Sequence, residues 1–104
     1  MAGGRKGLRL HLDAAAELQT SVAFYRDHGG DELADRLKRE VADVLTTIRS
    51  DPERFPFVRE LQGVQRARLR RFPFSILYVN NPGRLWVVAV AHGSRRPGYW
   101  QERL

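Results

Sequence analysis

The chain contains no cysteine, and of its 18 basic residues only Lys6 and Lys38 are lysines. Without cysteine there is neither a disulfide nor a thiolate-bound metal, which excludes the oxidised scaffolds of small secreted domains. Long apolar runs are missing too. The longest, from Leu85 to Ala91, has seven residues, against the ~20 that a membrane-spanning helix requires. The opening residues, Met1-Ala2-Gly3-Gly4-Arg5-Lys6-Gly7, have no apolar signal-peptide core. Together these absences predict a cytoplasmic protein without a membrane segment.

Acidic residues are scarce in one part of the chain only. Residues 1–60 hold ten basic and eleven acidic side chains, whereas residues 61–104 hold eight arginines and one acid, Glu102. A solvated face normally mixes signs, as the first 60 residues do. The arginine-only part therefore predicts a surface that attracts an anionic partner, either nucleic acid or an acidic protein segment. Paired-carboxylate chemistry of the glycosidase kind has no place there. The three histidines, His11, His28 and His92, lack metal-ligand spacing, so no metal site is expected. Neither a phosphate-cradling Gly-rich loop nor a Gly-x-Ser-x-Gly elbow occurs. No cofactor is expected.

The 104 residues suit one small domain, read as a flexible tail over residues 1–6 and a single domain over residues 7–104. Leu8-Arg9-Leu10-His11-Leu12 alternates as a half-buried strand does. Asp13 reads as an N-cap, and Ala15, Leu18, Val22 and Tyr25 recur at helical spacing, predicting a helix over about residues 14–27 that stops at His28-Gly29-Gly30. Leu33, Leu37, Val41, Leu45 and Ile48 continue the period in a second helix from Asp31, with Glu32/Arg36 and Asp35/Arg39 as outward pairs, until Ser50-Asp51-Pro52. The period then becomes alternating. Arg66-Ala67-Arg68-Leu69-Arg70 puts three arginines on one face, Phe74 to Val79 is a buried strand, Asn80-Asn81-Pro82-Gly83 is a turn, and Arg84 to His92 is an apolar, central strand. A short helical turn is expected over Tyr99 to Arg103. The order βααβββ(α) makes the fold class α+β, a helical hairpin on a small, mostly antiparallel sheet.

His92, Arg95, Arg96, Tyr99 and Trp100 cluster after the last strand. One reading makes Tyr99 and Trp100 a lid on the core. The other is a metal-free ribonuclease in which arginines hold the developing phosphate charge and a histidine or tyrosine moves the proton, with His92, Arg95 and Tyr99 as the catalytic set. A DNA-binding module is a third class, disfavoured because no helix rich in Arg or Lys is available for the major groove.

The runs Arg71-Phe72-Pro73-Phe74-Ser75-Ile76-Leu77-Tyr78 and Val87-Val88-Ala89-Val90-Ala91-His92-Gly93-Ser94-Arg95-Arg96-Pro97-Gly98-Tyr99-Trp100 carry a resemblance. With Ala15-Ala16-Glu17-Leu18, Tyr25 and Asp51-Pro52-Glu53-Arg54-Phe55-Pro56 upstream, the chain resembles the RelE/ParE superfamily of type II toxin–antitoxin toxins, in its ParE-like (plasmid stabilisation) branch, from about residue 8 to residue 103. The resemblance implies a ParE-like fold, a ParD-like antitoxin in a hetero-oligomeric complex, and growth arrest by inhibition of DNA gyrase. The alternative is a RelE-like, ribosome-dependent mRNA endonuclease. Lysine poverty and Gly93-Ser94 directly after the last strand favour the non-nuclease branch, a binding inhibitor with no sequence-specific nucleic-acid contact.

On that reading Arg95, Arg96, Tyr99 and Trp100 contact the target. An antitoxin segment, acidic and apolar, would meet Arg66, Arg68 and Arg70 on the first C-terminal strand, with Phe24, Arg36 and Arg39 on the helices closing the other side of its groove. Edge protection is the competing account of the three arginines.

Overall fold

The computed structural model describes residues 7–59, 61 and 63–104; the tail expected over residues 1–6 lies outside the described residues. The chain runs β1 (Gly7–Leu10), α1 (Leu12–Ser50), β2 (Val64–Arg68), β3 (Phe74–Asn81), β4 (Arg84–His92) and a short 3₁₀ helix (Gln101–Arg103). The expected cap, Asp13, sits inside the first helical turn. His11 is the cap, and its Nδ1 accepts from the Asp13 amide at 3.0 Å. The ring nitrogen's lone pair performs the task assigned to a carboxylate, so the helix starts two residues early, and Ala14 in its first turn is fully buried.

α1 consists of two arms separated at Gly30, whose φ of 83° and ψ of 174° are not helical. A side chain is strained at such a φ, and glycine is not. An unbroken helix of 39 residues would extend ~58 Å, longer than the 44 Å molecule. The contacts give the direction of each arm. Glu17 bonds the amide of Val90, Tyr25 packs edge-on against Phe72 and Phe74, and beyond the break Glu40 accepts from the amides of Arg70 and Arg71. The chain then returns to Tyr78, whose hydroxyl donates to the Pro52 carbonyl at 2.7 Å. The two arms thus form the antiparallel hairpin expected from Gly29-Gly30. Outside, Arg36 pairs with Glu32 at 3.0 Å as expected, but Asp35 lies 4.0 Å from Lys38, one turn position short of Arg39.

The sheet order is β1-β4-β3-β2, with β1 parallel to β4 and the other pairs antiparallel. β4 is interior, as its apolar sequence requires. β2 starts at Val64, before the first arginine, and ends at Arg68. Alternation sends Ala67, Ile76, Tyr78, Leu85 and Val87 to the helical arms, where they join Leu37, Val41 and Ile48 in the main core. The opposite face carries a second, smaller core of Val64, Leu77, Val88, Ala89 and Trp100. A bulge makes this possible. Leu77 pairs with Ala89 and Tyr78 with Val87, leaving Val88 without a partner on β3, so Val88 and Ala89 both face the second core.

The outer edge of β2 is covered along its first part. The amide of Val58 donates to the Val64 carbonyl at 2.7 Å and that of Arg66 to the Pro56 carbonyl at 2.9 Å. Buried Gln65 fastens this connector from inside, donating to the carbonyls of Pro52 and Phe55 and to the Tyr78 hydroxyl. Burial, with the negative charge of Asp51, raises the Tyr78 pKa to about 12, so its hydroxyl stays a donor. Among the described residues no helix is long and apolar enough to cross a membrane.

Candidate functional site

The second face of the sheet is only partly closed, and the segment after β4 decides how. Gly93 turns the chain, its amide donating to the Pro73 carbonyl at 2.8 Å, and the segment then lays Trp100 on the second core. Trp100 is 5% exposed, which makes it the lid on this face. What holds the segment in place is one carboxylate. Glu17, on the first arm of α1, accepts at Oε1 from the Val90 amide and Arg103 Nη1, both at 3.0 Å. At Oε2 it accepts from the Tyr99 hydroxyl at 2.6 Å and Arg103 Nη2 at 3.0 Å.

The backbone explains why a charged pair sits there. β1 pairs with β4 only from Arg84 to Val87, so beyond Val87 the edge of β4 has lost its neighbouring strand. Its next donor, the Val90 amide, goes to Glu17, and its bulged Val88 carbonyl accepts from Arg103 Nη1 at 3.0 Å. The ion pair replaces the missing strand, satisfying polar groups that would otherwise be unpaired. Burial pushes the Glu17 carboxyl up, but hydrogen bonds from Arg103, Tyr99 and Val90 and the Arg103 charge outweigh it and hold the pKa below its ordinary value. Burial and the bond to Glu17 push the Tyr99 phenol well above its usual range. The bond to Glu17 raises the Arg103 pKa against its own partial burial.

Between this segment and β2 lies a groove of about 540 Å³. Its lining includes the small residues Ser75, Ala91 and Gly93, and arginines come from both sides: Arg66 and Arg68 on β2, Arg95 and Arg96 after β4. Among the described residues, none of the lining is acidic. Arg95 lies over the Tyr99 ring at 3.8 Å and reaches Glu17 at 3.9 Å. For Arg66, Arg68 and Arg96, no acidic partner occurs among the described residues. An adjoining hollow of about 500 Å³ shares Arg66 and Arg68 and adds Arg59 and Phe57, whose ring is 64% exposed.

The structure therefore brings together residues that the sequence reading assigned to different tasks. Arg95, Arg96, Tyr99 and Trp100 line the same groove as Arg66 and Arg68. The supposed antitoxin groove is not assembled as expected. Arg66 and Arg68 pair across with Leu77 and Ser75 on the face away from the helices, so Phe24, Arg36 and Arg39 on α1 cannot close its other side. Phe24 is exposed and stacks on His28 with centroids 4.1 Å apart. Arg70 follows β2, its amide held by Glu40. Of the nuclease set, His92 engages Ser94 through Nδ1 and packs edge-on against Phe74, and Tyr99 is bound to Glu17.

Sequence reasoning missed Glu17 and Arg103. The available signal was an isolated acid at the helix start and an arginine at the far end of an arginine-rich part, which becomes meaningful only when 86 residues of separation are folded away. Among the described residues, no group of three or more potential metal ligands occurs.

A family model described as the ParE toxin of the type II toxin–antitoxin system parDE matches residues 8–97. The chain also superposes on a solved structure titled "Chromosomal ParDE TA system from P. aeruginosa" with a TM-score of 0.75 and 19% identity, over 84% of this chain and 95% of the other. No curated protein sequence matches it.

Proposed function

The chain belongs to the ParE toxin family of type II toxin–antitoxin systems, and from that premise we propose that it arrests growth in the cytoplasm by binding DNA gyrase, without catalysis. The observation that carries this reading is the state of Tyr99. Its hydroxyl is given to an ionised carboxylate and its pKa lies far above neutrality, so it is no base at physiological pH and no free acid. The remaining member with acid/base chemistry, His92, engages Ser94 through Nδ1, and among the described residues no hydrogen bond joins it to Tyr99. An arginine-lined surface without a working acid/base pair is equipped to hold an anionic target and not to transform it.

A ParD-like antitoxin silences the toxin in a hetero-oligomeric complex. A flexible segment that is both acidic and apolar can reach the exposed Phe24, Arg36 and Arg39 on the helical arms and pass around the molecule to Arg66, Arg68 and Arg70. Charge steers its approach, and apolar anchors set its residence time.

The test is supercoiling by purified gyrase in the presence of the purified toxin. Inhibition is expected, lost in Arg95→Ala and Tyr99→Ala variants that still fold and bind antitoxin. Intact supercoiling together with cleavage of ribosome-bound mRNA would replace this reading with the RelE-like one.

A further inference from the structure

The charges on the helical arms are largely answered from within: Arg26 pairs with Asp31, Arg36 with Glu32 and Lys38 with Asp35. The groove differs. Arg59, Arg66, Arg68 and Arg96 have no acidic partner among the described residues, and Arg95 is half exposed. Four guanidinium groups line the groove and a fifth, Arg59, the hollow beside it; like charges so placed repel one another, and a bound anion relieves the repulsion.

The form of the cleft narrows the kind of anion. A peptide that recognises a sheet edge pairs its main chain with that edge, but on the outer edge of β2 the Val64 carbonyl and the Arg66 amide already bond Val58 and Pro56. The groove offers mainly side chains. They are forked arginines, which match phosphate geometry, and one exposed aromatic, Phe57, beside Arg59, Arg66 and Arg68. Arg66 and Arg68 stand two residues apart on a strand, about 7 Å along it. The small residues Ser75, Ala91 and Gly93 line the groove along with the arginines. A positively charged track with an aromatic stacking surface beside it and no acidic lining among the described residues is the equipment of single-strand nucleic-acid binding.

We propose that this groove, together with the hollow beside it, holds the phosphodiester backbone of a single DNA strand, with one base stacked on Phe57. The choice of DNA over RNA rests on the gyrase reading, since gyrase is a DNA-bound target. The contact reads backbone and a base face and carries no sequence preference.

The experiment uses the whole toxin and a fluorescent ten-residue oligothymidylate, with binding followed by anisotropy between 50 and 200 mM salt. Three to four phosphate contacts give a slope of log K against log salt of about −2 to −3. Arg68→Ala and Arg96→Ala, both at exposed side chains, each weaken binding and reduce the slope by about 0.7. Phe57→Ala weakens binding about tenfold and leaves the slope unchanged. Lys38→Ala, on the helical side, changes neither. An oligouridylate of equal length binds no better than the DNA. The proposal is overturned by absent oligonucleotide binding at 50 mM salt, by binding indifferent to Arg68 and Arg96, or by binding of RNA alone. Supercoiling measured on the same preparation separates the two readings: failure to inhibit gyrase refutes the target, and failure to bind the oligonucleotide refutes the groove's occupant.

Discussion

Arg96 and Arg103 lie seven residues apart in one short segment and mark the two uses that this fold makes of a guanidinium. Arg103 is 14% exposed and donates to both oxygens of Glu17 and to the Val88 carbonyl. Arg96 is exposed, lines the groove and has no acidic partner among the described residues. One arginine finishes the sheet, and the other stays open to solvent at the groove. The difference teaches that an excess of positive charge has to be sorted by the backbone groups nearby before it says anything about partners. Where an edge strand stops short, an arginine is consumed internally.

This comparison can be broken most forcefully at the consumed end. Glu17→Ala leaves the Arg103 charge largely buried and the Val90 amide unpaired, and should lower unfolding free energy by about 3–4 kcal/mol in urea titration. Trp100→Ala removes the lid of the second core and should cost about 3 kcal/mol, seen as a lower melting temperature; an unchanged melting temperature with lost toxicity would make Trp100 a contact residue and not a lid. At the free end the effect is kinetic. Arg66→Glu with Arg68→Glu should preserve the melting temperature and slow antitoxin association at least tenfold at low salt, a difference that fades as salt is raised.

The smallest effect sharpens the comparison. Tyr99→Phe deletes one of the bonds to Glu17 and should cost about 1 kcal/mol. Acid provides the matching titration. The folded-state pKa of Glu17 lies below the ordinary 4.5, so its contribution is complete above the unfolded value and is lost as pH falls through the folded one. Urea midpoints of the native protein should therefore drop below about pH 4.5 more steeply than those of Glu17→Gln, and the two curves should become parallel near neutrality.

Much of the fold was legible because local chemistry and tertiary contacts agree. Gly30 breaks the helical period where the chain reverses, and β4 is both the most apolar strand and an interior one. Boundaries slipped where an unexpected group took a standard role, as when the His11 ring displaced Asp13 from the cap. The parallel pairing of β1 with β4 left no local trace, since periodicity reports a strand but not its neighbour. The site was half legible. Its arginines announced themselves by the missing acids, but their division into a single groove depended on which face each strand residue takes. The covered edge of β2, which weakens the edge-protection account of Arg66 and Arg68, depended on buried Gln65 reaching Pro52 and Phe55. A lone glutamine in an alternating strand gives no warning of that.

The distances spanned in sequence by Glu17 have a biosynthetic meaning. Its partners Val90, Tyr99 and Arg103 are 73, 82 and 86 residues downstream, and Leu8 pairs with Leu85. The N-terminal strand and first helical arm must wait for the synthesis of these intervening residues before they are completed, a delay of several seconds at roughly 5–20 residues per second. The wall that carries Arg95 and Arg96 is set in position only when the closing residues have left the ribosome. A nascent or truncated copy that has not yet presented Tyr99 and Arg103 to Glu17 therefore lacks the finished groove wall.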